Sequence, residues 1–145
     1  MKRFNEIKPL SNFDIIDYCR KLKIDNFIGV FMRDELNFKF KDNTCLVLNS
    51  DISSGKGIHW MCLFSKDGIS YYFDSYGLLP PVEVLKCCKN KLKFYNEYPI
   101  QLDGKVEILC GHYCVYVLYK LYNGIDFEII LHELLNYGDL RNILL

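Results

Sequence analysis

A thiol becomes a working nucleophile when a base takes its proton, a carboxylate orients that base, and a donor meets the oxyanion that forms. In this chain the residue types for those roles occur in the order His59, Asp74, Gln101 and Cys110, with Trp60 directly after the histidine and Gly111 directly after the cysteine. The set makes His59 the candidate base, Asp74 its orienter, Cys110 the nucleophile and Gln101 the oxyanion donor. The chemistry that follows is acyl transfer through a covalent thioester, the reaction of a cysteine-type hydrolase.

The elements that must hold these side chains are legible around them. His59 lies in Gly57-Ile58-His59-Trp60-Met61-Cys62-Leu63-Phe64, whose period of two puts Ile58, Trp60, Cys62 and Phe64 on one face and His59, Met61 and Leu63 on the other. Ser65-Lys66-Asp67-Gly68 separates this run from Ile69 to Asp74, and Asp-Gly between apolar runs is a strong hairpin signal. A two-residue loop pairs Lys66 with Ile69 and sets Asp74 opposite Met61, diagonal to His59 and on its face. Diagonal positions are about 7–8 Å apart between backbones, within reach of an imidazole and a carboxylate. A loop one residue longer or shorter reverses the faces.

Cys110 falls at the expected first turn of a helix in which Cys114, Val117, Leu118 and Leu121 recur at helical spacing until Asn123-Gly124 stops it. Unpaired N–H groups and the macrodipole favour negative charge at such a turn. An adjacent imidazolium adds to that effect, and thiols in these settings fall from about 8.5 to about 3.5–7.5. Gly111 removes a side chain that would crowd an approaching substrate backbone. Gln101 opens a polar loop running to Glu107, and its side-chain amide is a donor of the kind an oxyanion needs.

Elsewhere, Ser11 N-caps a helix to about Leu22 with Phe13, Ile16, Cys19, Ile15, Tyr18 and Leu22 facing inward. Residues 26–37 read as a turn leading into a short helical segment, and Cys45-Leu46-Val47-Leu48-Asn49 as a central strand. Pro80-Pro81 starts a helix from Val82 to about Lys91, and Asp126 N-caps a last helix through Leu134. The expected fold class is α+β. A small central mixed or antiparallel sheet packs against helices, with the nucleophile at the N-terminus of a buried central helix.

With 145 residues, half of them hydrophobic, the chain fills one domain rather than two. Lysine plus arginine equals aspartate plus glutamate at 18 each, so no global field draws the chain to nucleic acid or an anionic membrane. Its longest apolar stretch, Tyr113 to Tyr119, is far short of the roughly 20 residues a membrane helix needs. The start, Met1-Lys2-Arg3-Phe4-Asn5-Glu6, has no apolar signal region, and an intracellular location is expected. Seven cysteines, an odd number, then read as reduced thiols, six of them small buried hydrophobes.

Gly57-Ile58-His59-Trp60, Tyr71-Tyr72-Phe73-Asp74-Ser75-Tyr76-Gly77, Gln101 and Cys110-Gly111-His112-Tyr113-Cys114 together resemble the adenovirus-type (adenain-like) maturation protease family, to which the ubiquitin-like-protein proteases are related. The resemblance extends upstream through Asn26 to Val30 and Asn43 to Asn49, covering most of the chain from about Asn12 to about Leu135. It implies a cysteine endopeptidase cleaving viral or mobile-element structural precursors at glycine-containing sites, in the host-cell nucleus or the virion. It implies the same four roles for His59, Asp74, Gln101 and Cys110, and it makes Trp60 a wall of a narrow tunnel that admits glycine beside the cleaved bond. The family's DNA and peptide activators are not carried over to a chain of zero net charge, so no cofactor is expected. A ubiquitin-like-protein isopeptidase is a second reading, weakened because Trp60 is the only tryptophan. A catalytically inactive binding module is the third.

Two other patterns have plainer explanations. Cys110 with Cys114 and His59 with Cys62 have spacings found in zinc sites, but strand residues three apart point to opposite faces, so no metal is expected. Lys86, Lys89, Lys91 and Lys93 read as a solvated face.

Overall fold

The computed structural model describes residues 8–100 and 109–137. The elements follow as α1 (Asn12–Lys21), β1 (Phe27–Met32), a 3-10 turn (Arg33–Glu35), β2 (Cys45–Asn49), β3 (Trp60–Lys66), β4 (Ile69–Phe73), α2 (Val82–Cys88), β5 (Leu92–Tyr95), α3 (Cys110–Tyr122) and α4 (Phe127–Tyr137). The strands form one mixed sheet in the order β1-β2-β3-β4-β5, parallel at both outer pairs and antiparallel between β2, β3 and β4. This is the expected α+β class, and Cys110, the candidate nucleophile, is the first residue of α3.

β2 is buried along its whole length, as a strand covered on both faces must be. Cys45 and Val47, with Cys62 and Phe64 of β3, join a core with Ile15 and Cys19 of α1, Tyr113 to Leu118 of α3, and Ile130 and Leu131 of α4. Leu46 and Leu48, with Met61 and Leu63, face a second core closed by Leu36, Phe40 and the α2 residues Val84, Cys87 and Cys88. The period of two in residues 58–64 therefore divides two layers.

Local chemistry explains most boundaries. Ser11 and Asp14 form a reciprocal capping box, the Ser11 hydroxyl accepting from Asp14 N–H at 3.1 Å and Asp14 Oδ2 from Ser11 N–H at 3.0 Å. Asp126 accepts from Glu128 N–H at 2.9 Å at the start of α4.

Three expectations need correction. Residues 26–37 contain strand β1 before their helical turn, because Phe27 to Met32 pair with β2 and only Arg33–Glu35 close a 3-10 turn. The helix after Pro81 ends at Cys88, where Lys89 adopts φ +54°, and the chain then forms edge strand β5. On α1 the buried residues are Ile15 and Cys19, while Phe13 is 75% exposed at the outer side of the first turn.

Candidate active site

His59 stands one residue before β3, and its backbone is held on both sides. Ser50 N–H donates to the His59 carbonyl at 2.9 Å, continuing the β2–β3 ladder past the Asn49–Trp60 pair. Ile58 N–H donates at 2.9 Å to Oδ1 of the buried Asn49, which also accepts from Asp51 N–H at 2.9 Å. The imidazole is buried and stacks on the Tyr76 ring with centroids 4.2 Å apart and planes 11° from parallel.

Asp74 stands one residue after β4. The hairpin register is the one expected, with Lys66 opposite Ile69 and Cys62 opposite Phe73, so the next step sets Asp74 opposite Met61. His59 Nε2 and Asp74 Oδ1 lie 2.6 Å apart, the short distance of a charge-assisted hydrogen bond. The same carboxylate oxygen accepts from Tyr76 N–H at 2.9 Å, and the Asp74 carbonyl accepts from Gly77 N–H at 2.8 Å. Asp74 thus belongs to a turn that fixes both its backbone and its carboxylate.

That turn requires glycine at 77. Gly77 has φ +70°, and a Cβ there would lie 2.5 Å from the backbone carbon of Tyr98. Gly77→Ala is expected to lower stability by about 2–4 kcal/mol through backbone strain and overpacking. The loss is read as a lower thermal midpoint, and it should exceed that of Gly124→Ala, where the added Cβ meets nothing within 4 Å despite a φ of +84°.

Cys110 is the first residue of α3, and the N-cap Leu109 offers no side-chain hydrogen bond to the turn that follows. The cysteine is 8% exposed and opens onto a cleft of about 600 Å³ lined also by Leu10, Val30, Asn49, Ile58 and Trp60. Burial works against the His59 imidazolium, but the Asp74 hydrogen bond, a hydrogen bond with Cys110 and the charges of both partners outweigh it and raise the histidine to about 9. With Nε2 committed to Asp74, Nδ1 remains for the thiol. An imidazole held at about 9 carries its proton at neutral pH.

Trp60 lines the same cleft, and its indole N–H donates to the Leu10 carbonyl at 2.9 Å. Gly111 also serves the protein's own packing. A Cβ there would come within 3.2 Å of both Leu10 Cβ and Trp60 Cδ1, so the missing side chain makes room for the protein's own Leu10 and Trp60. Gln101 lies outside the described residues.

The other thiols sit deeper. All seven cysteines are free and buried, and burial pushes Cys19 up to about 12 and raises Cys45 and Cys114 well above the ordinary thiol value. Cys114 meets Cys62 across the α3–β3 packing while Cys110 meets His59, so the two zinc-like spacings are split between different contacts. Among the described residues no three histidine, cysteine, aspartate or glutamate side chains gather as a metal site.

Sequence reasoning missed Tyr76, Asn49 and Asn96. Tyr76 lies in the Tyr-Tyr-Phe-Asp-Ser-Tyr-Gly run, but stacking on a residue 17 positions earlier has no local signature. The asparagines do have one, since each follows or ends an apolar strand, where a short amide commonly bonds the backbone. Asn96 is 2% exposed, accepts from Asp74 N–H at 3.1 Å, and donates to the Asp74 carbonyl at 2.6 Å and the Tyr98 carbonyl at 3.1 Å.

No protein-family model matches this chain, and no curated protein does. Among solved structures, the crystal structure of the ASFV pS273R protease is similar with a TM-score of 0.63 at 17% identity, over 92% of this chain and 67% of that one. A selenomethionine crystal structure of the same protease gives a TM-score of 0.56 at 18% identity, over 92% of this chain and 68% of that one. The chain shares its fold with a protease. At these identities the likeness shows the fold alone.

Proposed function

We propose that this chain is a cysteine endopeptidase in which Cys110 attacks the scissile carbonyl, His59 holds and then donates the proton, and Asp74 orients the imidazolium. The observation that carries the reading is the 2.6 Å contact between His59 Nε2 and Asp74 Oδ1, made by an imidazole whose other partner is the cleft-lining Cys110. The first-turn amides of α3, which Leu109 does not cap through its side chain, are suitable donors for a tetrahedral oxyanion. Gln101 is the proposed side-chain donor beside them.

The proposed substrates are structural precursors of a virus or mobile element, cut at glycine-containing sites in the host-cell nucleus or the virion, in the manner of the adenain-like enzymes. Trp60 supports the glycine preference, because it lines the same cleft as Cys110, where the resemblance makes it a wall of a glycine-admitting tunnel. The shared fold with the ASFV protease supports proteolysis as the reaction class. A binding module has no need of a buried histidine–carboxylate pair aimed at a thiol.

Covalent labelling with a glycine-rich peptide vinyl sulfone, read by intact mass and peptide mapping, tests the reading. One adduct on Cys110, formed at least tenfold more slowly in His59→Ala, is the expected result. Labelling spread evenly over Cys62, Cys87 and Cys110, or absent altogether, speaks for a binding module.

A further inference from the structure

Asp74 lies beyond the end of β4, where the strand ladder no longer supports it. The last β4–β5 pair is Tyr72 with Tyr95, and Phe73 ends the strand. The turn through Tyr76 and Gly77 holds Asp74 from the C-terminal side, and its side toward β5 is left for another partner. Asn96 occupies the matching position beyond β5. Its amide presents one acceptor and one donor to Asp74 in the way a neighbouring peptide group would, taking the Asp74 N–H at 3.1 Å and giving to its carbonyl at 2.6 Å. A second donation, to the Tyr98 carbonyl at 3.1 Å, ties the amide to the segment that packs over Gly77.

We propose that Asn96 is a positioning residue for the catalytic base, its side-chain amide extending the β4–β5 ladder by one step so that the Asp74 carboxylate stays aimed at His59. The proposal rests on the protease reading above. Asn96 touches neither His59 nor Cys110 through any described hydrogen bond. It acts through Asp74 alone. Burial makes the arrangement rigid, since both residues are 2% exposed and water has no ready access to replace either bond. Removing the clamp lets the carboxylate drift, and a misplacement of about 1 Å in such a site is worth on the order of 100-fold in rate.

The test is the pH dependence of Cys110 alkylation by iodoacetamide, followed by peptide mass, in wild type, Asn96→Asp and Asn96→Ala. Asn96→Asp keeps the shape and the acceptor for Asp74 N–H but loses both donations. Wild type should react with Cys110 at pH 6 at least tenfold faster than a free cysteine does. Both variants should be about 10- to 100-fold slower than wild type at pH 6. They should equal it near pH 10, where a thiol open to the cleft ionises without help from an imidazolium, with the core Cys19, Cys45 and Cys62 still unlabelled.

A variant that keeps the wild-type rate at pH 6 overturns the role of Asn96 and leaves the protease reading intact. Slowing accompanied by labelling of the core cysteines overturns it too, because that is general loosening. A wild type no faster at pH 6 than free cysteine overturns both readings. Hydrogen exchange of the wild-type protein gives an answer without any variant. The Asp74 amide should exchange as slowly as the ladder amides of β4, and rapid exchange at Asp74 overturns the clamp.

Discussion

Cys110→Ala is expected to reduce peptide turnover by on the order of 10⁵- to 10⁶-fold, the scale seen when a triad nucleophile is removed, while the thermal midpoint changes little. The cysteine is small and at the rim of the core, so its replacement leaves only a slight void. Serine is the more discriminating substitution. Its hydroxyl surrenders a proton far less readily than a thiol, so no thiolate-like partner for the His59 imidazolium forms in the resting variant. Cys110→Ser is therefore expected to be nearly as inactive as alanine at neutral pH. Turnover of a glycine-containing peptide by all three proteins is the measurement. A serine variant within tenfold of wild type would show that His59 is a free base, contrary to the geometry.

Asp74→Asn is expected to lower kcat by on the order of 10⁴-fold, as in triads where the orienting carboxylate becomes an amide. The amide still fits beside His59 but no longer supports an imidazolium. The pH profile shows the reason for the loss. In wild type the falling limb of activity lies near 9, where His59 loses its proton. Without the carboxylate that limb moves down toward the ordinary histidine value of about 6.5.

Stability follows with the same sign. A histidine raised in the folded state gives its full contribution below its unfolded value and loses it as pH rises through the folded one. The raised His59, held by Asp74 and Cys110 together, thus stabilises wild type by an amount on the order of 3 kcal/mol below pH 6.5, a contribution lost above about 9, and Asp74→Asn removes the Asp74 share of it. Chemical denaturation of both proteins across that window should show the gap between them closing with pH. A constant gap would show that Asp74 stabilises the fold by some route other than the imidazolium.

The two strand-borne candidate residues were readable because their relation is local. Asp67-Gly68 sets the register, the period of two sets the faces, and from these the His59–Asp74 diagonal follows before any tertiary contact is known. Cys110 was readable from a helix start beside a long apolar stripe. β1 and β5 were not, because both are edge strands with half-exposed residues, and each borders a segment with a competing helical signal. Arg33-Asp34-Glu35 does turn helically, which hid the strand before it, and Lys89 stops α2 by adopting a backbone angle no propensity anticipates. Asn96 was illegible for a deeper reason. Its value depends on a parallel pairing between β4 and β5, made by a crossover through α2, and nothing within a few residues of it records that pairing. The packing constraint on Gly111 was illegible too, since the intramolecular approach of Leu10 and Trp60 is invisible along the chain.

The Cys62–Cys114 contact gives the core a bearing on the candidate site. His59 directly precedes β3 and Cys110 begins α3, so whatever sets the seat of this helix on this strand also bears on the spacing of the two side chains. One turn along α3 from Cys110, Cys114 meets Cys62 of β3. The two sulfurs work as a shim, and a bulkier pair at these buried positions is expected to lift α3 and draw Cys110 away from His59.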